Sequence, residues 1–296
     1  MTARLPATAS RTECPPTPAA PRSAPGQWAR RGGLLCASVF LLLVGVAAAW
    51  PGLLSVHTPD VTDLSATLQG ASPEHLLGTD RLGRDTLSRL IYGARISLLL
   101  GLTATGLGFL AGLVWGLTAG LSGRVVDEVA MRSADVFMSV PSMLMVLLVI
   151  AIFGAGERNA ALAVAVGIAP GFARLVRGQT LVVKNTGYVA AAVSLGLPAR
   201  AVILRHIVPN VLPPLFVYAT MTLGQTIIVG ASLSFLGLGP QPPTPEWGLM
   251  LAEARGYLQR APLLGVYPGL AITLTVLSIA TVGRALQLRF EGRDAR

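Results

Sequence analysis

The sequence predicts an all-α, polytopic membrane protein with six transmembrane helices, and three observations carry that prediction. Hydrophobic residues make up 52% of the 296 and charged residues only 12%, about half the charged share of a soluble domain. Uncharged runs recur along the whole chain, each near or above the ~20 residues a helix needs to cross the hydrocarbon core. Basic residues are also shared unevenly between the two sets of loops that six crossings create.

Composition excludes several classes. The net charge of +9 comes from basic residues scattered singly between apolar runs, with no stripe interleaved with aromatics, so nucleic acid is not the expected partner. Lys184 is the sole lysine and follows Val183. A phosphate loop of the G-x-x-x-x-G-K-[ST] type is therefore absent, and any ATP energy has to come from another chain. Cys14 lies in the N-terminal tail and Cys36 at the start of an apolar run, so no disulfide is expected. The histidines, His57, His75 and His206, are far apart, and no Cys/His group has metal-ligand spacing. The reading assigns no catalytic residue and no metal site.

Residues 1–32 are rich in Pro, Ala, Ser and Thr, with Glu13 as the single acid. Such a segment cannot bury enough apolar surface to offset its ordering entropy and reads as a disordered cytoplasmic tail. Residues 33–50 form the first span. Ala47-Ala48-Ala49 also suits a signal-peptide cleavage site, but the preceding segment is long for a signal n-region. Residues 51–95 are polar and turn-rich, an extracytoplasmic segment. Within it Asp80, Arg84, Asp85 and Arg89 have the i,i+4 spacing of self-paired charges on a solvated helix, each pair contributing roughly 0.3–0.5 kcal/mol.

Residues 96–290 form the core. Ile96–Gly123 is the second span, and its glycines at 101, 106, 108, 112, 116 and 120, mostly four apart, allow close helix approach in lipid. A short surface helix over 124–135 precedes a third span over 136–156. The fourth starts at Ala160 and reaches Val183 only if Arg174 and Arg177 snorkel to the interface. A fifth runs from Ile207 to about Gly230. An irregular Gly/Pro segment, SLSFLGLGPQPPTPEWG, precedes the sixth, Ala261–Gly283.

The stretch Lys184–Asn210 interrupts these spans. Its first half is rich in helix formers. Gly196 suits the positive φ of a helix C-terminus, Pro198 suits a first helical turn, and Pro209 is expected to stop the second segment. Val202, Ile203 and Ile207 form an apolar stripe, while Arg200 and Arg205 stay polar. The bend alone also fits an ordinary interhelical loop.

Three blocks of residues carry a family resemblance. YVAAAVSLG followed by ILRHIVPN resembles the "EAA" loop of ABC importer permeases. LGTDRLGRDTLSRLIYGARISLL, containing Gly78, Thr79, Asp80, Gly83, Arg84 and Asp85, resembles the segment before the second span in the peptide and nickel branch of that family. Ser232–Gly239, Pro242–Pro245 and Trp247-Gly248 resemble the same branch. The resemblance implies the type I importer permease fold and a coupling loop containing Tyr188, Ala190, Ala191, Gly196, Ile203, Arg205, His206 and Pro209. It implies as partners a sister permease subunit, two ABC ATPase subunits that bind ATP and Mg, and an extracytoplasmic binding protein. The sequence departs from the family at Ala190, where a Glu is usual, and at Arg284, where an acid is expected.

With both termini in the cytoplasm, sixteen basic residues fall on that side and seven on the other, as the positive-inside rule requires. The loop at 184–210 is then cytoplasmic, and the protein is a multi-pass component of the plasma (inner) membrane. The spans have essentially no centred charge, which argues against an ion-coupled carrier or a voltage sensor. Gln225 and Thr222 are the candidate pathway residues. The expected function is the permease subunit of a dipeptide or oligopeptide importer, with nickel as the alternative cargo. A stand-alone channel or carrier, or an anchoring protein that transports nothing, are rivals of other classes.

Overall fold

The computed structural model describes residues 27–290, with side chains over residues 32–288. Helix α1 (Gln27–Ala49) begins at Gln27 rather than Gly33, and the rest of the expected tail lies outside the described residues. A short α2 (Pro51–Leu54) turns the chain into a long loop. Then come α3 (Thr86–Leu121), α4 (Arg124–Ser139), α5 (Ser142–Phe153) and α6 (Glu157–Lys184). Two short helices, α7 (Gly187–Ser194) and α8 (Ala199–Val202), lead into α9 (Val208–Phe235), α10 (Trp247–Ala254) and α11 (Leu263–Phe290). Among the described residues five helices are long and apolar enough to cross a membrane, or six if the bent pair α4–α5 counts as one span.

That pair corrects the third predicted span. α4 continues to Ser139, only 12 residues remain for α5, and the two helices meet at 93°. Pro141 is the cause: its ring disfavours helical backbone at the residue before it, and Val140 is accordingly extended. α4 lies against α6, with Asp127 2.5 Å from Arg177 and Asp135 2.5 Å from Arg174. Those two arginines are therefore paired with acids of α4 rather than snorkelling alone.

Glycine sets how α3 meets α6. A Cβ on Gly108 would lie 2.5 Å from Ile168, on Gly112 2.3 Å from Phe172, on Gly116 2.4 Å from the Ala173 carbonyl, and on Gly120 2.8 Å from Thr180. Only bare backbone permits such an approach. Both sets of contacts climb together, so α3 and α6 run parallel. α9 is antiparallel to α3, since Gly101 meets Ile227 while Phe109 stacks on Phe216. α11 is antiparallel to α9, with Gly224 against Val276 and Gly283 against Thr220. α1 ends beside the start of α3, where Ala47 packs in one cluster with Ala94.

These directions sort the molecule into two ends. α7–α8, the start of α1 and the end of α11 share one. The 51–85 loop and α10 occupy the other.

Candidate functional site

At the first end, residues 184–210 fold into a bent knob. α7 closes with Gly196 at φ +77°. The Gly196 N–H donates to the Val193 carbonyl at 2.9 Å and the Leu197 N–H to that of Ala192 at 3.3 Å, the paired bonds of a Schellman cap. Past α8 the backbone does not stop at Pro209. It widens into a π turn over Ile203–Ile207, where Val208 donates to the Ile203 carbonyl, and continues as α9 with Pro209 in its first turn. A proline there has no N–H to offer, and a wider turn accommodates it without ending the helix.

Val189, Ala192, Val202 and Ile207 of the knob are buried in one apolar cluster with Phe172, Val176 and Val183 of α6 and Val211 and Leu215 of α9. The knob is thus an outgrowth of the core shared by α6 and α9. Its outer surface carries Tyr188, Val193, Leu195 and Leu204, with Leu195 80% exposed. Ala190, Ala191, Gly196, Arg200, Arg205 and Pro209 are exposed too, Ile203 and His206 half-buried, and the rings of Tyr188 and His206 lie 6.5 Å apart. Four large apolar side chains thus gather on one surface lobe, more than a purely solvated loop needs. Ala190 points outward there, and Arg284 is likewise exposed, on α11.

At the opposite end, the second block folds as a junction whose charges are buried. Gly78 (φ +76°) and Gly83 (φ +73°) make the two tight turns, and a Cβ on Gly83 would collide with the Asp63 carbonyl. Thr79 is buried, its hydroxyl donating to the Ala66 carbonyl and accepting from the Gln69 N–H. Asp80 accepts from the Leu82 and Arg84 amides at 2.8 and 3.0 Å and pairs with the Arg84 guanidinium at 2.6 Å. Arg84 and Arg89 are each 1% exposed.

Both arginines converge on Glu253 of α10, Arg84 at 3.1 Å and Arg89 at 3.2 Å. The expectation of solvated i,i+4 pairs is therefore corrected. Asp85 does not pair with Arg89: it caps α3 by accepting from the Ser88 N–H at 2.7 Å and hydroxyl at 2.6 Å, and it meets His75 at 2.9 Å. Burial pushes the Asp85 carboxyl up, but the Ser88 and His75 hydrogen bonds outweigh it and leave it below the ordinary carboxylate range.

Sequence reasoning missed Glu253, more than 160 residues from its partners and without motif context. It also missed Glu246, buried at the start of α10, which accepts from Ser97 at 3.0 Å and from the Gly248 and Leu249 amides. The spacing of a lone acid just before the Trp247 helix, an N-cap pattern, is the signal that could have found it. A further correction concerns metal-ligating groups. His57 and His75, judged too distant in sequence, come together with Asp85 because the 51–85 loop folds back over the start of α3, whereas His206 stays at the knob.

The two pathway candidates point differently. Thr222 is buried, its hydroxyl donating to the Tyr218 carbonyl at 2.9 Å. Gln225 is exposed. It lies midway along an uncovered stripe of α9 formed by Tyr218, Met221, Ile228 and Phe235 at helical spacing.

Long apolar helices, a sharply bent α4–α5 pair and a capped knob grown from α6 and α9 define a multi-pass membrane permease with the fold of ABC importer membrane subunits. Solved structures with this fold include the methionine ABC transporter MetNI in an inward facing conformation. It has a TM-score of 0.54 and 20% identity over 67% of this chain and 96% of that one. An amino acid ABC transporter with histidines has a TM-score of 0.54 and 18% identity over 69% and 94%. The chain belongs to the family of binding-protein-dependent transport system inner membrane components, which matches residues 112–294.

Relatives include the glutathione transport system permease protein GsiD of Pectobacterium atrosepticum, 42% identical over 86% of this chain and 84% of its own length. The dipeptide transport system permease protein DppC of Alkalihalophilus pseudofirmus is 38% identical over 86% and 83%. The di/tripeptide transport system permease protein DppC of Pseudomonas aeruginosa is 39% identical over 88% of each chain. The protein is thus a non-catalytic, multi-pass transport subunit of the inner membrane.

Proposed function

We propose that this chain forms half of the membrane pathway of an ATP-driven importer for short peptides, its knob facing the cytoplasm. The observation that carries the reading is the unbroken apolar core from Val189 and Val202 in the knob to Phe172 in α6 and Leu215 in α9. A push on the knob cannot be absorbed locally in a close-packed core, so it passes to both spans as a rigid-body movement of the hinge-and-shear kind. Dipeptide, di/tripeptide and glutathione transport in the names of relatives at 38–42% identity favours short peptides as cargo.

One of two ATPase subunits, binding ATP and Mg, docks on the exposed Tyr188, Val193 and Leu195, and the other docks on the sister permease. A binding protein delivers peptide to the opposite end. The uncovered α9 stripe faces the pathway and a sister permease: an amide at Gln225 is costly against lipid and is satisfied by water, backbone of a partner, or peptide.

The test replaces Gly196 by Val. A β-branched residue at φ +77° costs on the order of 1–2 kcal/mol and opens the bend. Peptide uptake and co-purification of the ATPase are expected to fall together while the variant still inserts at parental levels. Undiminished uptake would refute the coupling role.

A further inference from the structure

We infer that His57, His75 and Asp85 form a binding site for a divalent transition-metal cation that pins the loop after α2 to the start of α3. One ligand atom from each of the three lies within 4.8 Å of the others. A tetrahedral ion with bonds of about 2.0–2.1 Å wants its ligands roughly 3.3 Å apart. The His75–Asp85 pair is already at 2.9 Å, so only His57 has to move, by about 1.5 Å to meet that same spacing. His57 is free to do so, being exposed, and the rings of His57 and His75 already sit 5.2 Å apart.

The donor set is built in layers. Asp85 is buried and its second oxygen is held by the Ser88 amide and hydroxyl, the outer-shell support that orients a ligating carboxylate. His75 is half-buried, and its amide is fixed by the Ser72 hydroxyl at 3.0 Å. The His57 carbonyl accepts from Ser55 at 2.6 Å, while its ring has no polar partner among the described contacts other than this cluster.

Asp85 already caps α3 through Ser88, a role that needs no imidazole at its other oxygen. Two imidazoles and one carboxylate suit zinc and its neighbours, not magnesium or calcium, which prefer all-oxygen shells. With Asp85 immobile and one side of His57 open to solvent, the ion sits as a resident clamp with a solvent-facing position. The inference stands apart from the transport reading, since nothing in it depends on cargo or coupling.

Equilibrium dialysis tests it with the untagged full-length chain in detergent, in a Cys14→Ser/Cys36→Ser background that removes thiol ligands. One equivalent of Zn2+ is expected to bind, Co2+ is expected to give d–d absorption, and Mg2+ neither binds nor competes. His57→Ala, at an exposed position that leaves the Asp85 cap intact, is expected to weaken Zn2+ binding about tenfold or more and to abolish zinc-induced thermal stabilisation, while His206→Ala binds as the parent does. Parental affinity in His57→Ala, loss of binding in His206→Ala, or no zinc bound by the parent would each overturn the site.

Discussion

At the scale of single residues, Glu253 matters most and was the least visible beforehand. It is the shared counter-charge of Arg84 and Arg89, two guanidiniums with almost no solvent access. A buried pair is weak evidence for stability as built, yet removing Glu253 leaves Asp80 alone against both guanidiniums, and breaking a buried pair costs about 3–5 kcal/mol. Glu253→Gln keeps the shape and removes the charge, so thermal melting of the purified variant is expected to register a loss of that order. Asp60→Asn is the control: Asp60 is 56% exposed and 4.0 Å from Arg89, and its loss is expected to be within about 1 kcal/mol. Asp80 and Arg84 were legible as an i,i+4 pair, and they do pair. What spacing could not reveal is that the pair is buried and tied to α10, because burial comes from chain segments far away in sequence.

At the scale of elements, the four-residue glycine period of α3 was readable, since small residues at that interval serve one purpose in an apolar helix. Its partner was not. Gly108, Gly112, Gly116 and Gly120 could have met any span, and only the fold selects α6. Gly112→Leu puts a side chain where Phe172 already stands at 2.3 Å. Overpacking of this kind costs roughly 1–3 kcal/mol and is expected to lower the melting temperature and the yield of folded protein. Gly106→Leu meets open space and is expected to melt as the parent does. The bent α4–α5 pair and the wide turn before Pro209 were missed for a related reason. Proline announces a disturbance of the helix, but whether the chain breaks, bends or widens depends on what packs against the freed carbonyls.

At the scale of the whole molecule, the helix directions put the knob, the start of α1 and the end of α11 at one end and the Arg84–Glu253 network at the other. The proposal that the knob's end faces the cytoplasm rests on charge, not on packing, and it is open to direct measurement. A single cysteine at Gly196 in a Cys14→Ser/Cys36→Ser background is expected to resist a membrane-impermeant maleimide in intact cells and to react after permeabilisation. Labelling from outside would invert the molecule and separate the knob from any cytosolic ATPase.

The sequence by itself determined the class, the long apolar helices and the bend at Gly196. All of these arise from local composition and backbone preference, which act over a few residues or a single crossing. Only the tertiary structure decided that Asp80, Arg84 and Arg89 close on Glu253, that His57 reaches His75 and Asp85, and that the knob shares a core with α6 and α9. Those are meetings between distant stretches, and they are fixed by how whole helices pack, which no local pattern encodes.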